Sequence, residues 1–342
     1  MGKILWKILI AIGAGVGGLI VAVALFFVWA SSGRLDPEQY AEVLSYGEAE
    51  AGGAPETLRV VTYNLGYLSG LGNAAGEDTG DIVLSPAFFE ENQRTAIAAL
   101  AALDPDIVAL QEIDLDARRS YGVNQVEALA AGLNLPVGAI AVNWDKRYIP
   151  FPYWPPAAQF GPTLAAQAIL SRFPIPSHRR HVLEPVASQP FFYRAFYLDR
   201  VAHVAEIAVG AKSLVVINVH LEAFDAPTRR RQTEYVRDLA EGYAESFPVL
   251  LLGDFNSAVN RPEEGTPPTL EVLLQSDVLS PALAPEQFTA PEQFTFPSDQ
   301  PAYRLDYGFY TPATLELVKT EVVTAAAQAS DHLPVVLELR LR

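Results

Sequence analysis

Several side chains able to move protons or hold a cation stand where an apolar run of this sequence meets a turn. Gly253-Asp254-Phe255-Asn256 follows the apolar run 247–252, Gln111-Glu112 follows Ile107-Val108-Ala109-Leu110, His220 closes the run 213–219, and Asn64 ends a β-rich run that begins at 58. Arg304-Leu305-Asp306-Tyr307 sets an acid inside an otherwise apolar stretch, where an unpartnered carboxylate is costly to desolvate. His332, 26 residues on in Ser330-Asp331-His332-Leu333-Pro334-Val335, is the natural partner. In an Asp–His pair the carboxylate fixes the imidazole tautomer and favours its protonated form. Polar residues delivered by several separate strand ends are what a catalytic rim at one edge of a sheet would look like. Taken singly, each has a plainer reading as a turn-former, a cap or a satisfied structural histidine, and for Asn64 or Asn256 alone that reading is the better one.

The elements that must carry these residues alternate between buried-strand and helical patterns from residue 58 onward, as in an α/β or α+β domain. Ser85-Pro86 is an N-cap followed by Pro at the first helical position, and Phe89, Gln93, Ala96, Ile97, Leu100 and Leu103 then fall on one stripe. Val123, Val126, Leu129 and Leu133 mark a second helix, and Gln232, Tyr235, Val236, Leu239 and Tyr243 a third over about 228–244. Strands are expected at 167–171, 194–209, 213–219, 247–252, 304–310 and 334–341. Residues 143–163, rich in aromatics and Pro, read as a loop.

Half of the 342 residues are apolar and 19% are charged, so the chain can bury a sizeable core. Lys and Arg number 24 against 40 Asp and Glu, a formal charge of −16; without residues 1–30, whose only charges are Lys3 and Lys7, the remainder carries −18. An acidic body of that size disfavours broad binding to nucleic acid. The absence of Cys excludes disulfides, thiol catalysis and zinc knuckles. Residues 8–30 contain no charge and no Pro, with Lys3 and Lys7 before them and Arg34 after. Such a run can cross a bilayer as a helix, and it exceeds the roughly 7–15 apolar residues of a signal peptide. The expectation is an uncleaved anchor over 1–34 that holds the N-terminus in the cytoplasm and the rest outside. A cleaved secretory signal is the alternative. Residues 35–57, acidic and punctuated by Gly and Pro, read as a tether, and 58–342 as the catalytic domain.

Taken together the motifs resemble the endonuclease/exonuclease/phosphatase superfamily of metal-dependent phosphoesterases. The matching stretches are Val61-Thr62-Tyr63-Asn64, Leu110-Gln111-Glu112, Ile169-Leu170-Ser171-Arg172-Phe173-Pro174-Ile175, Asn218-Val219-His220-Leu221, Gly253-Asp254-Phe255-Asn256, Arg304-Leu305-Asp306-Tyr307 and Ser330-Asp331-His332-Leu333-Pro334, in the family's order. The resemblance implies a four-layer α/β/β/α sandwich of two packed mixed β-sheets, preceded here by the N-terminal transmembrane helix. It implies that Glu112 holds a divalent cation, Mg²⁺ or else Mn²⁺ or Ca²⁺, with Asn64 beside it. Asp254 would orient and deprotonate the attacking water, and Asn256 would hold the phosphate or the nucleophile. His332, paired with Asp306, would stabilise the phosphoryl oxygens, and His220 would contact the phosphate or protonate the leaving oxygen. Asp331 would lean on the metal or on the adjacent network. Arg194 and Arg231 could add positive charge, with a surface ion pair the plainer reading for Arg231.

For the substrate, the acidic body, the scarcity of Lys and the stretch Phe294-Thr295-Phe296-Pro297, in place of the Trp-rich motif of DNA-repair members, argue against DNA. The anchor and the aromatics beside Lys146 and Arg147 argue for a phospholipid headgroup or similar small phosphoester, with sphingomyelinase-like and membrane-bound lipid-remodelling members nearest in look. A secreted or surface Mg²⁺-dependent nuclease and a non-catalytic ligand-binding module on the same fold are the alternatives.

Overall fold

The runs at 107–110 and 249–252 have no polar face, so each strand they form must be covered on both sides. The computed structural model describes residues 2–342 apart from 51, 54, 73–83 and 266, and only the backbone of 263. The chain runs through α1 (Gly2–Ser31), β1 (Ala41–Ser45), β2 (Leu58–Asn64), α2 (Pro86–Ala101), β3 (Ile107–Asp114), α3 (Gln125–Leu133), β4 (Val137–Ile149), β5 (Gly161–Ser171) and β6 (Ser177–Val182). It continues through α4 (Phe191–Arg194), β7 (Val201–Val209), β8 (Lys212–His220), α5 (Ala226–Ala244), β9 (Val249–Asp254), α6 (Glu271–Leu274), β10 (Ser280–Pro281), β11 (Asp306–Tyr310), β12 (Leu315–Val322) and β13 (Val335–Leu341).

The strands form two sheets, ordered β1-β4-β5-β3-β2-β13-β12 and β10-β11-β9-β8-β7-β6. Each sheet is mixed, with one parallel pair, β2 with β3 and β8 with β9. A parallel pair needs a crossover, and α2 and α5 supply it. Val60, Ile107, Ile169, Val216, Leu250, Leu252 and Leu337 interdigitate between the sheets. On the outer faces α2 and α3 cover the first sheet and α5 the second, which completes the four-layer sandwich. Two buried amides cross between the layers. Gln111 Nε2 donates to Asn218 Oδ1 at 2.6 Å, and Asn218 Nδ2 donates to Leu110 O at 2.9 Å, so β3 and β8 are held in fixed register next to Glu112 and His220.

Several local expectations are corrected. Residues 143–149 and 161–163 are strand rather than loop, because β4 and β5 form one long antiparallel hairpin, and only the connection 150–160 remains irregular. Strand structure begins at Val201 rather than at 194, after the short helix α4. The stretch 35–57 is not a free tether throughout: β1 is the edge strand of the larger sheet, pairing Ala41 with Ala141, while residues 51 and 54 lie outside the described residues. Helix α1 is long and apolar enough to cross a membrane. Its one buried residue is Ala30, in the last turn.

Candidate active site

A strand's carboxyl end leaves its side chains at the rim of the sheet, and the two crossover units bring four such ends to one edge. Asn64 ends β2, Glu112 lies near the end of β3, His220 ends β8 and Asp254 ends β9. The antiparallel neighbours contribute their amino ends to the same edge, Asp306 opposite Asp254 and the 330–332 turn just before β13. Local irregularities aim the groups inward. The register of β3 against β5 shifts between Leu110 and Ile113, and within this bulge Glu112 adopts φ 49°. Gly253 has φ +139°, and a Cβ built there would lie 2.0 Å from Val219 O, so only glycine lets β9 lie this close to β8.

The side chains converge. Asp254 Oδ2 accepts from Asn64 Nδ2 at 2.9 Å, and Asp254 Oδ1 accepts from the Asn256 backbone N–H at 2.8 Å. Asn64 Nδ2 also reaches Glu112 Oε1 at 3.3 Å. His220 Nε2 lies 3.5 Å from both Glu112 Oε1 and Asp254 Oδ2. Across the pocket His332 Nδ1 is 2.8 Å from Asp306 Oδ2, and its Nε2 is 3.8 Å from Asp254 Oδ2. Ser330 Oγ fixes the turn, donating to Asn64 O at 2.8 Å and accepting from the His332 N–H. All of these groups are buried except Glu112, whose side chain keeps 13% exposure.

The two histidines differ in charge. Burial opposes the imidazolium of His332, but the Asp306 and Asp254 carboxylates outweigh it and hold its pKa well above the ordinary value. His220 is driven well below the ordinary value by burial, with Arg200 and His332 adding like-charge repulsion. Burial lifts Asp254 to about 6, with the His332 cation opposing the rise and Asp306 adding to it. Asp331 is pushed up to about 7, again by burial first, with His332 opposing and Glu112 repelling its charge. Asp306 keeps one oxygen, Oδ1, without a hydrogen bond.

The donors are carboxylate oxygens, amides and imidazoles without a thiol, which suits a hard divalent ion. Burial raises the proton affinity of Asp254 and Asp331, and a cation bound beside them would lower it. Glu112, a carboxylate with the Asn64 amide 3.3 Å from its Oε1, fits the role of ligand to that cation. Asp254, Asp306 and His332 also offer ligand atoms within 4.8 Å of one another. A ligating imidazole must be deprotonated, however, and His332 is held in its charged form.

Residues 61–332 match the sequence family described as Endonuclease/Exonuclease/phosphatase family. The chain belongs to that family. Among curated proteins, none matches the sequence. Similar solved structures include an endonuclease/exonuclease/phosphatase from Beutenbergia cavernae, with 22% identity and TM-score 0.60 over 84% of this chain and 72% of that one. A mannosyl-6-phosphatase from Bacteroides thetaiotaomicron aligns with 16% identity and TM-score 0.57 over 82% of this chain and 99% of its own. The human Nocturnin catalytic domain with a bound sulfate aligns with 16% identity and TM-score 0.56 over 90% and 100%. At these identities the likeness is one of fold.

Of the residues singled out from sequence, Asn64, Glu112, His220, Asp254, Asn256, Asp306, Asp331 and His332 lie together. Arg194 does not join them; it is exposed on α4 and makes no hydrogen bond or ion pair to the cluster. Arg231 pairs with Glu184 on the surface. A cation beside the cluster is Arg200, 6% exposed, which had no distinguishing mark in the sequence. Its Nε is 3.6 Å from Glu222 Oε2, Nη2 reaches Tyr197 OH at 3.3 Å, and Nη1 has no hydrogen bond. Glu112 and His220 are its electrostatic neighbours. Arg119 was also missed: it is paired bidentately with Asp114 and lies 3.4 Å from the ring centroid of Tyr67, next to Glu112.

Proposed function

We propose that the chain is a membrane-anchored, divalent-metal-dependent phosphoesterase acting on a phospholipid headgroup or a similar small phosphoester. The observation that carries the reading is the pairing of a charged His332, held by Asp306 at 2.8 Å, with an Asp254 lifted to about 6 whose Oδ2 lies 3.8 Å from His332 Nε2. A carboxylate with a pKa near the working pH is suited to take a proton. An imidazolium fixed at its other nitrogen is suited to stabilise anionic oxygen.

Glu112 and Asn64 would hold the metal, which when bound withdraws negative charge from the phosphoryl oxygens. Asp254 accepts a proton from water as the water oxygen bonds to phosphorus, and Asn64 and the Asn256 N–H keep its carboxylate in place. The ester P–O bond breaks, its electron pair leaves with the departing oxygen, which takes a proton from solvent, and Asp254 returns the proton it accepted to solvent. The His332 Nε2–H donates to the phosphoryl oxygens through this change. His220, neutral in the free protein, can donate one hydrogen bond to an oxygen, and Arg200 adds a fixed positive charge behind it. The apolar length of α1 supports anchoring, and the acidic body supports a substrate other than long nucleic acid.

The test is hydrolysis of bis-p-nitrophenyl phosphate by the full chain in detergent, titrated with Mg²⁺, Mn²⁺ and Ca²⁺. Glu112→Gln should raise the metal concentration for half-maximal rate about 10- to 100-fold. A rate indifferent to chelator and to this substitution refutes the metal assignment, and cleavage of plasmid DNA without any release of lipid headgroups refutes the substrate assignment. The mass of the protein isolated from membranes decides whether α1 is retained.

A further inference from the structure

The end of α1, the aromatic connections and the catalytic residues all lie at one edge of the sandwich. β4 and β3 are both antiparallel to β5, so they run in the same direction, and the 150–160 connection leaves β4 at the edge that carries Asn64 and Glu112. β7 is antiparallel to β8 and β6 to β7, so the 183–200 connection lies at the same edge, beside His220. These connections present Tyr153 and Trp154 at 76% and 78% exposure and Phe191 and Phe192 at 70% and 51%. Phe224, in the segment that leaves β8, is 82% exposed at this edge as well.

The bilayer boundary can be placed along α1. The uncharged run 8–30 spans about 34 Å as a helix, close to the roughly 30 Å hydrocarbon core. With Lys3 and Lys7 at one boundary, the other falls in the last turns of the helix. There the Phe27 ring meets Phe191 and Phe196, with centroids 5.9 and 5.4 Å apart, and Phe26 meets Tyr148 at 6.2 Å. Lys146 Nζ donates to Ser31 O at 3.2 Å and Arg147 Nε to Ser32 Oγ at 3.1 Å. The exposed aromatics therefore sit at the level where α1 leaves the membrane, the depth that Trp and Tyr favour. Arg147 and Arg194, both exposed, flank them where anionic headgroups would be.

Resting on the anchored-phosphoesterase reading, we propose that the 150–160 connection and α4 are a bilayer-docking surface, with Tyr153, Trp154, Phe191 and Phe192 set into the interface of the membrane that α1 crosses. Docking turns the catalytic edge toward the headgroups of that leaflet, so the enzyme takes its phosphoester from the membrane surface that holds it. Arg194, which lies outside the catalytic cluster, belongs to this surface.

Because the chain has no Cys, a single introduced thiol carries a spin label uniquely. Full-length Trp154→Cys and Phe192→Cys proteins, labelled and reconstituted in phosphatidylethanolamine/phosphatidylglycerol vesicles, are compared with Ala211→Cys, in the exposed turn at the opposite edge. Relative collision with oxygen over a water-soluble nickel chelate should be at least about threefold higher at 154 and 192 than at 211. Adding Phe191→Ser and Phe192→Ser should bring the 154 label toward the value at 211. Equal values at all three sites overturn the proposal, as does shielding of 154 and 192 from both reagents, which would mean that protein covers the patch. Hydrolysis of bis-p-nitrophenyl phosphate by the same samples separates the two readings: its absence with lipid-facing labels refutes the phosphoesterase and leaves the docking surface standing.

Discussion

Asp306→Asn removes one charge from the pocket and almost no volume. The carboxylate sits 2.8 Å from His332 Nδ1, fully buried, and is the main partner holding the imidazolium. A buried hydrogen bond between charged groups contributes about 1.5–3 kcal/mol, and the upper figure corresponds to about 2 pKa units. Without Asp306 the burial of His332, until then outweighed, drives the imidazole toward neutrality. Because Asp306 raises this pKa, its contribution to stability is fully present below the unfolded histidine value of about 6.5 and is lost as pH rises through the folded value. The alkaline limb of the kcat/KM profile for bis-p-nitrophenyl phosphate should therefore move about 2 units toward acid, and the rate alkaline of the parent's limb should fall about 100-fold. Thermal unfolding checks that the variant is folded. An alkaline limb in its original place, with a rate within about threefold of the parent, would refute the charge assignment.

Two other outcomes follow from the same structure. Gly253→Ala should lower stability by at least about 2 kcal/mol, since the new Cβ meets backbone rather than a movable side chain, and a melting temperature within a degree of the parent would contradict this. His203, buried in β7 and facing His178, has its pKa depressed to about 3 by burial and by that neighbour. Its neutral form stabilises the fold above pH 6.5, and this is lost as pH falls toward 3, at about 1.4 kcal/mol per pH unit. Urea unfolding of His203→Gln between pH 6.5 and 4 should show a shallower slope, and an unchanged slope would argue against a buried neutral histidine.

The docking surface changes what the exposed aromatics mean. Tyr153, Trp154, Phe191 and Phe192 would be unfavourable on a freely diffusing protein, and beside an α1 set in a bilayer they would become contacts at a fixed depth. On the proposed docking, an acidic body with such a face would meet headgroups through Arg147 and Arg194 while the rest of its surface would be repelled from anionic lipid.

Local pattern was enough for the parts of this protein whose signal lies in neighbouring residues. The apolar runs before Glu112, His220 and Asp254 marked buried strands, Ser85-Pro86 marked a helix start, and the uncharged run 8–30 marked a helix able to cross a membrane, because burial, capping and transfer to lipid each act on short stretches. The polar edge strand β6 and strand β1 within the expected tether had no such signal, since their stability comes from pairing with β7 and β4. The charge states of His220 and His332 were equally out of reach, as the two residues differ only in which carboxylates and cations tertiary packing sets around them. Arg194 and Arg200 stand six positions apart with the same side chain, and only the turn from α4 into β7 sends one to the surface and the other to a place beside the cluster. Charge at a distance falls off with space rather than with sequence, so the fold alone decided which cation faces the chemistry.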